Sequence, residues 1–333
     1  IYTILQHTEI VLAPLLWSLL SNSGRPSLVI CSIPLFSGLG GWLLNLLWGI
    51  PYIVYAQGEE LTKALQSRTL FYTRYHLTKL VLKRAAAIVS ISCFTQQILC
   101  DKYDVECNKS HIIHPSLDIK EQTAIDWHLI PTFKQDIVGK SKMILMVGRL
   151  IQIRKGFDKA IQSLPKILAD IPDTKLVVVG PGDQTLLRSY AREAEVEKQV
   201  IFMGEVMREQ LLMLYAACDI FLLPARTMPD GDTEGFGIVF LEANLMGKAV
   251  VGGRAGGTLD AIVDRETGLL VDGNDTEQIA NAVVELLNDP TYAESLGQQG
   301  KTRVLKEFNS QFQQQKFTQV IQSILPSAGT TGK

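Results

Sequence analysis

The stretch Glu234-Gly235-Phe236-Gly237-Ile238-Val239-Phe240-Leu241-Glu242 sets two carboxylates, with seven residues between them, around the start of an apolar run. Two glycines follow closely on the first carboxylate. Glycine lets a ligand approach the backbone, and the open N–H groups at a helix N-terminus attract anions. Read as a helix over Glu234–Met246, the interval between the carboxylates advances about 12 Å. That is about the span from the sugar of a nucleotide sugar to its ribose, so the layout suits a ligand with a phosphate in the middle and hydroxyls at both ends.

Working outward, apolar β-branched runs alternate with helical patterns. Strands are expected at Met143–Val147, Lys175–Val179, Val200–Met203, Ile220–Leu223 and Ala249–Gly252. Helices are expected from about Phe157, from about Gln184, near Glu209–Ala217 and over Thr276–Leu287. Strand–helix alternation of this kind predicts an α/β fold with parallel sheets and helices on both faces. Ligands of such sheets bind at the carboxyl ends of the strands. Arg149, Gly180-Pro181-Gly182 and Glu234 all fall after expected strands.

The N-terminal part repeats the theme. Leu28–Cys31 and Tyr52–Ala56 read as buried strands joined by a helix over Gly38–Trp48, and Tyr75–Ala86 reads as a basic amphipathic helix leading into the strand Ala87–Ile91. His111–Pro115 reads as the last strand of this part, and the polar segment from Ser116 to Lys142, broken by Pro131 and Gly139, as an interdomain linker. The expected domains are 1–137, with a helix at 309–326 returning to it, and 138–308.

Five ordered segments together resemble the retaining, nucleotide-sugar-dependent glycosyltransferases of family 4: EGFGIVFLEA around Glu-x7-Glu, VGRLIQIRKGFD at 147–158, LVVVGPGD at 176–183, FMGEV at 202–206 and GGTLDAIVDRETGLLV at 256–271. The resemblance runs from Ser27 to about Gln322. It implies a GT-B fold, two Rossmann-like parallel-sheet domains facing a cleft, the first lacking its opening strands. It implies transfer of a hexose from a nucleotide diphosphate sugar, GDP-mannose or a UDP-hexose, to a glycan or lipid-linked acceptor. Arg149 and Lys155 match the residues that hold the diphosphate. The interval between them is one residue longer than the usual form, so Arg154 is an alternative for part of that role. Gly182, Val206 and the Gly235-Phe236-Gly237-Ile238 turn complete the donor side, with Glu242 on the ribose hydroxyls. Glu234 falls to the transferred sugar. Gln57 stands where many relatives carry histidine, in Tyr55-Ala56-Gln57-Gly58-Glu59-Glu60; glutamine can hydrogen-bond a sugar hydroxyl but cannot titrate.

Charge defines the chemistry. A sugar leaving a nucleotide diphosphate builds negative charge on the departing phosphate, which fixed cations stabilise. With Arg149 and Lys155 in that role, neither metal nor cofactor is expected. Asp230-Gly231-Asp232 formally matches a metal–diphosphate motif but reads as a turn. Cys107, His111 and His114 lack a fourth ligand and ligand-like spacing and read as ordinary loop and strand-edge residues. Two other readings remain: a nucleotide-sugar epimerase of the same fold, and a nucleotide-sugar-binding fragment without turnover.

The 333 residues suit two domains, and a net charge of −2 gives no reason to expect nucleic acid. Five cysteines without paired metal spacing predict a reducing compartment, hence the cytoplasm, with no disulfide framework. Ile1–Leu20 reads as an amphipathic helix rather than a signal peptide. From Pro26 to Gly58 there is no charged side chain. Pro34, the glycines at 38, 40 and 41, Asn45 and Gly49-Ile50-Pro51 break that run below the length of a span. Buried packing explains its apolar residues as well as a peripheral contact with the inner face of the cell membrane would.

Overall fold

The computed structural model describes residues 25–65 and 70–325; the helix expected over Ile1–Leu20 lies outside them. The chain forms two compact units. The first holds the described residues up to His114 together with Asp230–Gly235 and the chain from Gln313. The second holds Pro115–Pro229 and Phe236–Phe312.

The first unit is built on four parallel strands in the order β1-β2-β3-β4: β1 (Val29–Cys31), β2 (Tyr52–Ala56), β3 (Ala87–Ser90) and β4 (Ser110–Ile112). Between them run α1 (Phe36–Trp48), α2 (Glu59–Leu65), α3 (Leu70–Arg84) and α4 (Cys93–Tyr103). Side chains alternate across a strand with a period of two, and the two cores follow that rule. Tyr52, Val54 and Ala56 join Leu61, Val81, Leu82 and Leu99 on one face. Ile53, Ala87 and Val89 join Val320, Phe317, Ile321 and Ile324 on the other. These last four belong to α13 (Ser310–Ile324). The uncharged 26–58 stretch is therefore β1, α1 and β2. A Cβ at Gly41 would come within 2.6 Å of Cys31 Sγ, and one at Gly38 within 2.7 Å of Val81 Cγ1, so the glycines let α1 lie close on the sheet. No helix among the described residues is long and apolar enough to cross a membrane.

The second unit carries six parallel strands: β5 (Lys142–Val147), β6 (Thr174–Val179), β7 (Val200–Gly204), β8 (Ile220–Leu223), β9 (Ala249–Gly253) and β10 (Leu269–Val271). Their order is β10-β9-β8-β5-β6-β7. The chain walks outward from β5 to β7, crosses back, and continues from β8 on the other side. Every residue of β8 and β9 is buried, as a sheet covered on both faces requires. Helices α6 (Phe157–Asp170), α7 (Thr185–Glu193), α8 (Arg208–Ala217), α9 (Ile238–Leu245), α10 (Thr258–Ala261), α11 (Thr276–Asn288) and α12 (Pro290–Glu307) follow the strands. The direction of travel reverses between β5 and β8. Their carboxyl ends therefore form the switch point at which doubly wound sheets bind ligands.

Three expectations are corrected. The 116–142 segment is not irregular throughout: α5 (Ile130–Val138) forms within it, with Pro131 in its first turn and Gly139 at its C-cap at φ 65°. The two residues read as breakers are instead its start and stop signals. The Glu234–Met246 helix begins only at Ile238, because Gly237 takes a left-handed φ of 92° and caps it; Glu234 lies in the preceding loop, so the 12 Å helical advance does not apply. Cys100 and Cys107 form a disulfide, their Cα atoms 5.6 Å apart. The chain reverses at Asp104, φ 51°, which returns Cys107 to the last turn of α4. Strand β10 and helices α2, α4, α10 and α12 went unread, and α3 begins five residues before the expected Tyr75.

Candidate functional site

At the carboxyl end of β5 the backbone packs too tightly for side chains. Gly148 N–H donates to Val179 O at 3.0 Å and Leu150 N–H to Pro181 O at 2.9 Å, tying the loop after β5 to the loop after β6. Gly180 sits at φ 141°, where a Cβ would lie 2.0 Å from Gly148 O. Gly182, at φ 129°, faces Leu150 and Ile151. Only glycine fits such a backbone. Val206 is half-buried just past β7, at the same end of the sheet.

Three cations converge on this platform. Gly148 has no side chain, and the Lys155 stem fills that space: a Cβ at 148 would be 2.7 Å from Lys155 Cδ. Lys155 and Arg154 are buried, whereas Arg149 is exposed. With its amide oxygen set toward the arginines, as their N–H groups require, Gln152 accepts from Arg154 Nη1 at 3.0 Å and Arg149 Nη2 at 3.3 Å. The longer Arg-to-Lys interval therefore folds as a short 3-10 turn, Ile153–Lys155, that brings Arg154 in beside Arg149.

The loop after β8 holds this group from the other side of the switch point. Arg226 N–H donates to Arg154 O at 2.8 Å. Its guanidinium grips Asp158 on α6 through both Nη atoms at 2.9 Å, and the pair is almost fully buried. A Cβ at Gly156, φ 76°, would sit 2.2 Å from Pro224 O.

Helix α9 presents Glu242 from its second turn. Its Oε1 accepts from Arg208 Nη1 at 2.6 Å and its Oε2 from Tyr215 OH at 2.7 Å. Arg208 opens α8 and Tyr215 lies seven residues on, on the same helix face. The other edge of the Arg208 guanidinium binds Glu121, Nε to Oε1 at 2.9 Å and Nη2 to Oε2. That pairing, ahead of the charge of Glu242, holds the guanidinium firmly protonated. Burial pushes the Tyr215 hydroxyl well above its ordinary range, so it stays a neutral donor. At the start of α9, Ile238 is exposed and Phe236 is buried with its ring against Phe308. Arg208, Tyr215, Glu121, Gln152 and Arg226 escaped the sequence reading. For the first two the seven-residue spacing on one amphipathic helix was the available signal; the others join through contacts distant in sequence or within an irregular loop.

Within the first unit, Gln57 follows β2 with an exposed side chain. Residues 230–235 pack against it: a Cβ at Gly235 would be 2.8 Å from Gln57 O and 3.3 Å from Ile91 Cδ1. Glu234 is buried here. Gln57 N–H donates to Glu60 Oε1 at 2.6 Å. Burial raises the Glu60 carboxyl above its ordinary 4.5, against three backbone hydrogen bonds that lower it. A titratable group thus stands directly beside the position where the sequence offered only an amide. Asp230 Oδ1 accepts from Asp232 N–H at 3.0 Å across Gly231 at φ 86°, a side-chain-capped turn. Among the described residues no group of three or more His, Cys, Asp or Glu is arranged to hold a metal, and Cys107 is committed to its disulfide.

With this geometry established, known proteins offer a comparison. The family described as "Glycosyl transferases group 1" matches residues 131–303, and that described as "Glycosyltransferase Family 4" matches residues 7–121. A GDP-mannose-dependent alpha-(1-6)-phosphatidylinositol monomannoside mannosyltransferase of Mycolicibacterium smegmatis is 40% identical over 167 residues, 49% of this chain and 43% of its own. A D-inositol 3-phosphate glycosyltransferase of Corynebacterium aurimucosum is 30% identical over 276 residues, 79% of this chain and 64% of its own. The chain spans about half the length of the mannosyltransferases it matches. Among solved structures, Anabaena HepE in complex with UDP superposes with a TM-score of 0.79 at 18% identity, covering 94% of this chain and 82% of that one. The two parallel-sheet units are those of the GT-B fold.

Proposed function

Because the chain belongs to the glycosyl transferases group 1, we propose that it transfers a hexose from a nucleoside diphosphate sugar, with retention of configuration and without a metal. The observation that carries this reading is the clustering of Arg149, Arg154 and Lys155 on a glycine-built platform at the β5/β8 switch point. Such a group matches the charge that develops on a departing diphosphate. Arginine supplies a forked donor and lysine a point charge. The open N–H groups at the start of α9 add to them.

In the proposed reaction the bond from the anomeric carbon to the diphosphate breaks. A new bond forms to an acceptor hydroxyl on the same face, and the acceptor proton passes to the departing phosphate oxygen. Glu242 receives the ribose hydroxyls, Gly182 and Val206 flank the base and phosphates, and Glu234 and Gln57 hold hydroxyls of the transferred sugar. The names of the mannosyltransferase relatives favour GDP-mannose as donor and a phosphatidylinositol-linked acceptor. Leu46 and Leu47, exposed on α1, are offered as a peripheral contact with the membrane that bears such an acceptor.

The test is ligand-induced stabilisation by GDP-mannose and UDP-glucose, with and without EDTA, followed by transfer of labelled mannose to a lipid extract. A ligand at a hundred times its dissociation constant adds about 2.7 kcal/mol of stability. Stabilisation by GDP-mannose, indifferent to EDTA and accompanied by transfer, supports the proposal. Stabilisation without turnover would make the chain a binding protein, and no response to either donor would end the donor reading.

A further inference from the structure

Glu242 meets its ligand with half of its hydrogen-bonding capacity already in use. A carboxylate offers about four lone-pair positions, two on each oxygen. Arg208 Nη1 takes one on Oε1 and Tyr215 OH takes one on Oε2. One position per oxygen remains, which is the pattern that receives two vicinal hydroxyls side by side.

The donors on Glu242 are themselves held. Glu121, in the 3-10 turn Ile119–Ala124, binds the Nε and Nη2 edge of the Arg208 fork, and only Nη1 is aimed at Glu242. A planar guanidinium with one edge clamped has little freedom to rotate the other. Tyr215 is fully buried with its ring against Phe221, centroids 5.6 Å apart, so its hydroxyl is fixed by core packing. The side chain of Glu242 is itself only 12% exposed. Both carboxylate oxygens are therefore oriented before any ligand arrives, which removes an ordering cost from binding.

We propose that Arg208, clamped by Glu121, and Tyr215 are positioning residues that set Glu242 as a receptor for a ribose diol, and so make the site discriminate ribonucleotides from 2′-deoxyribonucleotides. The inference rests on the donor reading of Glu242 given above. A 2′-deoxy ligand leaves one lone pair of a nearly buried carboxylate without its hydroxyl, and hydrogen bonds to charged groups carry about a tenfold to hundredfold effect. Loss of the positioning donors lets the carboxylate turn. The ribo ligand then weakens toward the deoxy ligand, while the deoxy ligand is nearly unchanged.

The experiment is calorimetric titration of GDP and 2′-deoxy-GDP into wild type, Tyr215→Phe, Glu121→Gln and Arg208→Lys, each checked for its unfolding temperature. Wild type is expected to prefer GDP by about tenfold or more. The variants are expected to bring that preference to within about threefold, with the loss confined to GDP. Arg208→Lys keeps the charge but not the fork and should behave as the others do. A simple weakening of the fold lowers both affinities together and leaves the ratio where it was, so the ratio separates positioning from structure. A wild-type ratio retained in the folded variants overturns the positioning role alone. A wild type that binds GDP without preference overturns the ribose assignment of Glu242 and this inference with it. One that binds neither guanosine ligand is titrated with UDP and 2′-deoxy-UDP, and no preference or no binding there has the same consequence. Tyr215→Phe and Glu121→Gln touch different partners, so if one fails to fold the other decides.

Discussion

The strand-end turns after β2 and after β5 each place a glycine beside the strand end and differ in charge. Both follow a buried parallel strand; Gly58, at φ 100°, comes two residues after β2 in the first unit, whereas Gly148 follows β5 directly in the second and takes no left-handed φ. Around Gly58 stand Gln57, Glu60 and the 230–235 segment with Glu234. Around Gly148 stand Arg149, Arg154 and Lys155. One turn is lined by hydroxyl acceptors and the other by cations. Parallel strand ends supply a place to bind, and the side chains that follow decide what is bound.

The strongest way to break this comparison is to remove the support of the cationic turn. Arg226→Leu leaves the Asp158 carboxylate buried without its partner, and the expected cost is about 3–5 kcal/mol of stability. Denaturant unfolding of the variant measures it, and a loss under about 1 kcal/mol would show that the pair does not hold the loop. Next in size, Lys155→Ala is expected to lower kcat/KM for transfer about 10²–10³-fold, the range for one fixed donor at a developing charge. A drop of less than about fivefold would remove Lys155 from the phosphate site.

On the acceptor-lined side the effects are smaller. Gln57→Ala is expected to cost about tenfold in kcat/KM, one neutral hydrogen bond's worth, and Gln57→His to restore most of it. A His variant that is far more active than wild type would instead show that this position works by protonation. The smallest effect concerns pH. The Glu60 carboxyl is raised in the folded chain, so between its ordinary 4.5 and that raised value the folded state binds the more protons. Stability therefore falls as pH rises through that window. Glu60→Gln should remove this part of the slope, as unfolding curves at stepped pH would record. A steeper slope in the variant would reverse the assignment.

Which parts of this were legible follows from how each is encoded. The strands at Tyr52–Ala56 and Ile220–Leu223 were read to the residue, because continuous burial on both faces writes itself as an unbroken apolar run. The start of α9 was misread because the Glu-x7-Glu spacing was taken as one helix, whereas Gly235 and Gly237 are poor helix formers and Gly237 in a left-handed conformation sets the boundary. Helix α5 was hidden in a polar stretch whose Pro131 and Gly139 look like linker residues until both are seen at its two ends. At the site, Arg149, Lys155 and Glu242 carried a motif signal. Arg226 and Glu121 carried none, since their partners lie 68 and 87 residues away.

The sequence alone determined the α/β class, the order of most elements and the identity of the charged groups, because periodicity and local spacing encode those directly. Only the tertiary structure decided how these groups are used. It joined Arg149 and Arg154 through Gln152, laid the Lys155 stem against Gly148, turned Glu242 between Arg208 and Tyr215, and set a desolvated Glu60 beside Gln57. Hydrogen bonding and burial act across space between residues remote in the chain, and no local pattern records them.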